Sequence, residues 1–237
     1  MVFDQSEYNV RCEWGEHGVQ VLAPISDVVI IVDVLSFSTA VEIAVSQSAT
    51  VFPYRWRDAT CYEYARSLDA EVADKDNPKG YSLSPSSLLN LPPKVRLVLP
   101  SPNGSTLSLL ADGTQTLLGC FRNCRAVAES AMKKGRNIAL IPAGERWGDD
   151  SLRPCFEDLA GAGAIIHFLR GTLSPEALAA RNVFEESRPN LYEQLRGCSS
   201  GKEKICRGEG RDVELAAELN VSRSVPFLSE GSFVRET

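Results

Sequence analysis

Histidine is scarce in this chain: His17 and His167 are the two in 237 residues. That excludes a histidine-rich metal centre and leaves few partners for a catalytic Cys–His pair. Basic residues do not dominate either. Lys and Arg number 25 against 31 Asp and Glu, a net charge of -6, which argues against nucleic acid as the main partner. No apolar run approaches the roughly 18 residues of a membrane span. The first residues lack a basic-then-apolar leader, so a cytoplasmic protein without membrane contact is expected. The seven cysteines, Cys12, Cys61, Cys120, Cys124, Cys155, Cys198 and Cys206, are odd in number and scattered, which fits reduced thiols better than a disulfide framework. Cys120 and Cys124 lack soft partners for zinc. Cys155 lies beside carboxylates that would raise its pKa, and it reads as a small packed residue. Walker and Gly-x-Gly-x-x-Gly nucleotide loops are both missing.

What the chain does have is a repeated strand, polar loop and helix. Val28–Val32 is apolar at every position, as in a central strand covered on both faces, and it ends at Asp33. A helix follows from Ser38 or Thr39, with Thr39 and Glu42 spaced as a capping box. Further strands are expected at 51–54, 95–99, 116–119 and 138–141, with helices at 58–68, 107–111 and 122–134. Residues 8–22 read as a hairpin turning near Gly15 and Gly18. Residues 74–93 read as a long loop, in which Ser82, Ser84, Ser86 and Ser87 are ligand donors or plain turn residues. Ser174-Pro175-Glu176 opens a helix. Residues 190–220 look helical with breaks at Gly201, Gly208 and Gly210, and 224–228 is a last strand whose Pro226 suggests an edge. Arg122, Asn123 and Arg125 stand where they meet a ligand anion or a neighbouring carboxylate. Without a repeat or linker, residues 1–237 are read as one domain. The pattern is α/β, with a largely parallel sheet between helices.

Three polar loops carry the candidate chemistry. The first holds Asp33 before a helix N-terminus, where a carboxylate can hold a cation and amides a phosphate, or where it simply caps the turn. The second runs over 100–106; Asn103-Gly104 favours positive φ, Ser105 or Thr106 can cap the next helix, and the segment can cradle an anion. The third carries Glu145, Arg146, Asp149, Asp150 and Arg153. There Pro154 suits a first helical position and Glu157 and Asp158 a first turn, while the small residues at 160–164 let the helix approach another backbone. It also reads as a solvated loop before a capped helix. If the strands are parallel, all three loops open on one carboxyl edge and form one crevice.

Three segments then resemble a known family: Val29-Ile-Ile-Val-Asp-Val-Leu-Ser-Phe-Ser-Thr39, Ser101-Pro-Asn-Gly-Ser105, and Ile141-Pro-Ala-Gly-Glu145 with Glu157-Asp-Leu-Ala-Gly-Ala-Gly-Ala164. In this order they resemble the 2-phosphosulfolactate phosphatases, called ComB-like. The resemblance implies a three-layer α/β/α fold with a largely parallel or mixed central sheet. It also implies a Mg²⁺-dependent phosphatase that converts 2-phospho-3-sulfolactate to 3-sulfolactate and phosphate, a step toward coenzyme M, and a homo-oligomer. The chain departs from the family pattern where serine at Ser36 replaces an arginine, where Pro102-Asn-Gly-Ser105 replaces Thr-Asn-Gly-Thr, and where a Gly-Gly-Glu-Arg segment is missing around 71–79. Losing the arginine removes a bidentate anion clamp, which Arg146, Arg153 or Arg122 can replace from another position.

On this reading Asp33, Glu157 and Asp158 are Mg²⁺ ligands or water-orienting groups, since Mg²⁺ takes oxygen ligands and keeps waters. Asp33, Glu145 and Asp158 form the catalytic set, with Glu145 as general base or acid. Ser38, Thr39, Asn103, Gly104, Ser105, Arg146 and Arg153 hold the small anionic phosphoester. A phosphorylated Asp33 ranks lower, because Asp-x-Asp spacing is missing. The alternative is a non-catalytic protein that binds an anionic metabolite on the same scaffold.

Overall fold

A computed structural model describes residues 2–111 and 113–236. In chain order the strands are β1 (Val10–Cys12), β2 (Val28–Val32), β3 (Thr50–Tyr54), β4 (Glu71–Val72), β5 (Arg96–Pro100), β6 (Gln115–Leu118), β7 (Ile138–Pro142), β8 (Glu145–Arg146), β9 (Leu152–Arg153), β10 (Pro226–Ser229) and β11 (Ser232–Arg235). Nine of them form one sheet in the order β1-β7-β2-β6-β10-β11-β3-β5-β4, and β8 and β9 pair as a separate ribbon.

The apolar run at β2 explains the layering. Val28, Ile30 and Val32 enter one core, and Val29 and Ile31 enter the other. A strand that is apolar on both pleats needs cover on both sides. One side is covered by α1 (Gly15–Leu22), α2 (Phe37–Ser46) and α4 (Gly104–Leu110). The other is covered by α5 (Cys124–Lys134), α6 (Phe156–Ile166), α7 (Pro175–Ser187), α8 (Leu191–Gly197) and α10 (Gly210–Ala217). The fold is therefore three-layer α/β/α. A smaller cluster joins Cys61 and Ala65 of α3 (Thr60–Ser67) to Phe52, Val72 and Val98 of the last three strands. Among the described residues no helix is long and apolar enough to cross a membrane.

The sheet is mixed. β1, β7, β2 and β6 are mutually parallel, as are β3, β5 and β4. The β10–β11 hairpin stands between the two blocks and pairs antiparallel on both sides. Followed pair by pair, β5 runs opposite to β2, so a flat sheet would send the loop after β5 to the far edge. The sheet is not flat. Four strand steps at 20–25° of twist rotate β3 by roughly 80–100° from β2, and α4 packs on both strands. Twist therefore brings the loop after β5 to the end of β2. The parallel arrangement inferred from sequence does not.

Several local expectations are corrected. Residues 8–22 do not form a hairpin; β1 is followed by α1, which buries Gly15, Gly18, Val19 and Leu22 in a helical stripe. The Thr39–Glu42 capping box is not formed. The Thr39 hydroxyl donates to the Val34 carbonyl at 2.8 Å, and Glu42 accepts from Arg122 Nε at 2.7 Å. Arg122, also paired with Glu218, is spent on carboxylates. Ser105 and Thr106 lie inside α4, after its N-cap Asn103, and Pro154 precedes the N-cap Cys155 of α6. Gly201 lies inside α9 (Ser199–Cys206), whose N-cap is Cys198. Pro226 is not on an edge strand; it opens β10 in mid-sheet, a first position where proline is tolerated. Of the loop serines, Ser84 donates its hydroxyl to Asp212 Oδ1 at 2.7 Å, and Ser86 donates its backbone N–H to the same oxygen at 3.0 Å.

The small residues of α6 do permit a close crossing. A Cβ on Gly163 would stand 2.0 Å from the Ala180 carbonyl oxygen of α7. Gly163→Ala is expected to cost about 2 kcal/mol or more by forcing the two backbones apart. Gly148→Ala, with open space around it, serves as the neutral control in urea denaturation.

Candidate functional site

The site is built at the carboxyl end of β2. Asp33 is 6% exposed, and its carboxylate bridges two segments. Oδ1 accepts from Phe37 N at 3.1 Å, at the start of α2, and Oδ2 accepts from Gly104 N at 2.9 Å, at the start of α4. Gly104 is required by this approach, because a Cβ there would meet the Phe37 ring at 2.3 Å and Asp33 Oδ2 at 2.8 Å. Its φ is not positive, so the expectation of a left-handed turn at Asn103-Gly104 does not hold. Burial pushes the Asp33 carboxyl up to about 6, with nearby Glu145 adding to the rise and the two amides opposing it.

Asp158 makes a second bridge. From the first turn of α6, its Oδ1 accepts from Val34 N and its Oδ2 from Gly144 N, both at 2.8 Å. It is 4% exposed, and its carboxyl is pushed well up by burial and by the charges of Glu157 and Asp33. Asp33 ties the loop after β2 to the loop after β5, and Asp158 ties it to the loop after β7. These three loops and α6 are thus joined through four amide–carboxylate bonds.

Beside Asp33 opens a cleft of about 380 Å³. Its acidic residues are Asp33, Glu145 and Glu203, and Glu145 Oε2 accepts from Asn103 Nδ2 at 3.0 Å. Its basic side is Arg57, Arg146, Arg153, Lys204 and Arg207. Arg146 pairs with Glu16 and lies 3.7 Å from Asp150; Lys204 pairs with Glu209 and Asp212, and Arg207 with Glu203. A small pocket that sets carboxylates facing several cations is suited to an anion whose reacting group also needs a base or a metal.

Of the residues expected from sequence, Asp33, Asn103, Glu145, Arg146 and Arg153 line this cleft. The others are placed elsewhere. Ser38, Thr39 and Ser105 are fully buried and donate their hydroxyls to the carbonyls of Ile31, Val34 and Leu99, so they do not form a phosphate cradle. The Gly104 amide is taken by Asp33. Asp158 does not line the cleft; its two oxygens accept the amides of Val34 and Gly144 and so fix the loops beside it. Glu157 borders a different cavity, with Gln194 and Cys198. Cys155 is buried, with its thiol pushed up by burial and by Glu157 and Asp158, and is no nucleophile. Sequence reasoning missed Arg57, Lys204 and Arg207. They come from the turn after β3 and from α9 and its C-cap, and no motif marks them.

Among the described residues no group of three or more His, Cys, Asp or Glu forms a metal cage. The ligand set Asp33, Glu157 and Asp158 is therefore not assembled. Mg²⁺ needs less: one or two carboxylates, waters and the substrate's own phosphate oxygens. Asp33, with Glu145 in the same cleft, meets that requirement.

Comparison with known proteins follows the same line. The sequence model of the 2-phosphosulpholactate phosphatase family matches residues 19–231. A protein of Carboxydothermus hydrogenoformans named a probable 2-phosphosulfolactate phosphatase is 36% identical over 149 residues, 60% of this chain and 59% of that protein. One of Thermotoga petrophila with the same name is 29% identical over 224 residues, 90% of this chain and 96% of the other. The 2-phosphosulfolactate phosphatase of Methanothermobacter thermautotrophicus is 26% identical over 220 residues, covering 87% and 88% of the two chains.

The raised Asp33 value has a consequence for stability. The native state holds this proton up to about pH 6, whereas the unfolded chain releases it near the ordinary aspartate value of 3.8. The stability tied to the protonated form is therefore full below pH 4 and lost as pH rises through 6. Relative to Asp33→Asn, the wild type is expected to lose about 2 kcal/mol between pH 4 and 7. Paired urea denaturations across that range measure it, and a constant difference would contradict the assigned burial.

Proposed function

Because the chain belongs to the 2-phosphosulpholactate phosphatase family, we propose that the cleft at Asp33 hydrolyses 2-phospho-3-sulfolactate to 3-sulfolactate and phosphate. The observation that carries this reading is the joining of Asp33 and Glu145 to five cationic side chains in one cleft of about 380 Å³. Phosphoryl transfer asks a protein mainly for positioning and charge neutralisation, and those two groups supply both.

Asp33 is the residue that would hold Mg²⁺, which when bound supplies positive charge to the phosphoryl oxygens. Two backbone amides hold the Asp33 side chain in one rotamer at the cleft floor. Glu145, held by Asn103, orients the attacking water, takes its proton as the phosphorus–oxygen ester bond breaks, and passes that proton on to the departing 3-sulfolactate oxygen. The cationic rim draws in the anionic ester and raises its local concentration. Asp158 acts at a distance, by fixing the loops that carry Asp33 and Glu145. The seven free thiols suit a reducing compartment, and we place the reaction in the cytoplasm.

Purified protein is expected to release phosphate from 2-phospho-3-sulfolactate with Mg²⁺ and to stop when EDTA removes the ion. Asp33→Asn and Glu145→Gln should each lower kcat by about 100-fold or more while the far-ultraviolet dichroism is retained. Activity should rise as pH passes through 6, because Asp33 must ionise to hold the cation. Absence of phosphate release from this ester at any Mg²⁺ concentration would falsify the assignment.

A further inference from the structure

One buried polar atom in the cleft has no partner. Ser36 is 3% exposed, lines the cleft three residues after Asp33, and its hydroxyl oxygen makes no hydrogen bond. Leaving a buried hydroxyl unsatisfied is costly, so such an atom in a ligand cleft points to a group that the ligand brings.

The cations of the cleft divide in the same sense. Arg146, Lys204 and Arg207 are each paired with carboxylates. Among the described residues, Arg57 and Arg153 have no carboxylate partner. Arg153 is nonetheless held in place: its Nη2 donates to Ser200 Oγ at 3.4 Å, and its guanidinium lies 5.7 Å from the centre of the Trp147 ring. That leaves most of its N–H fork free. Arg57 and Arg153 both line this cleft; Arg57 also borders the neighbouring cavity on the α3 side, and Arg153 the one beside Glu157. A guanidinium only donates, and the Ser36 hydroxyl can donate as well. Such a set is matched by a carboxylate or sulfonate, which only accepts.

We propose that Ser36, Arg57 and Arg153 form a recognition subsite for a second anionic group of the substrate, a carboxylate or sulfonate that takes no part in the reaction. The subsite makes the cleft selective for phosphoesters that carry such a group over simple monophosphates. The phosphoryl group lies against Asp33 and Glu145, and the second anion against the serine and the two unpaired arginines. This inference rests on the phosphatase reading of the same cleft.

The test compares 2-phospho-3-sulfolactate with glycerol 1-phosphate, which has no second anion, in the wild type and in Ser36→Ala, Arg57→Ala and Arg153→Ala. For each arginine variant, the ratio of kcat/KM for the first ester to that for the second is expected to fall about tenfold or more, mostly through KM. The serine variant should show a smaller drop in the same direction, and Arg153→Lys should restore part of the loss. Equal losses on both esters, or no loss on either, overturn the subsite. If the wild type hydrolyses neither ester, the phosphatase reading has failed, and calorimetric binding of 3-sulfolactate decides the subsite separately. Binding lost in the arginine variants supports it, and no binding to the wild type overturns it.

Discussion

The structure depends on two buried carboxylates that accept backbone amides from distant parts of the chain. Asp33 takes the amides of Phe37 and Gly104, and Asp158 those of Val34 and Gly144. Hydrogen bonds to charged groups are worth about 1.5–3 kcal/mol each, against a desolvation cost of several kcal/mol for a buried ion. The balance is close, and both carboxyls are held above the usual range. Tying the loops together and leaving Asp33 poorly solvated are one arrangement. Asp33 stands between its structural amides and the negative Glu145, and a cation or a proton relieves that tension. In a family whose relatives are named as phosphatases, a site that costs stability at neutral pH is the expected form of a site kept for function.

The sheet explains how such distant segments meet. β2 and β5 belong to blocks of opposite nominal direction, separated by the β10–β11 hairpin. The twist accumulated across that hairpin carries the start of α4 to Asp33. The antiparallel insertion therefore does not disperse the site. It places Asn103 where its amide nitrogen reaches Glu145 and closes one wall of the cleft with residues from the other block. Further lining comes from α9 and its C-cap, which carry Lys204 and Arg207. These short helices near the carboxyl end add charge to a floor laid down by β2, β5 and β7.

Much of this was legible in the sequence, for identifiable reasons. The five β-branched residues of β2 can be read only as a strand buried on both faces, and an aspartate at its end announces the site. Glu145 and Asn103 follow from the same strand-then-loop logic. Residues with two physical roles are ambiguous in the sequence. Ser38, Thr39 and Ser105 look like anion donors, but a hydroxyl in the first turn of a buried helix is nearer to a backbone carbonyl than to the cleft. Gly15 and Gly18 resemble a hairpin turn, yet with Val19 and Leu22 they form the buried stripe of a short helix. Spacing also cannot tell a carboxylate that lines the cleft, as Asp33 does, from one set behind it, as Asp158 is. Arg57, Lys204 and Arg207 carry no local signal, and only the tertiary fold brings them to the cleft.

One carboxylate, that of Asp33, joins two helix N-termini. Amide nitrogen and proton shifts of Phe37 and Gly104, followed by nuclear magnetic resonance between pH 4 and 8, report on it directly. Both amides donate to Asp33, so both should move together with a shared apparent midpoint near 6. Separate midpoints, or a Gly104 amide that does not move, would show that the loop after β5 is not held by Asp33.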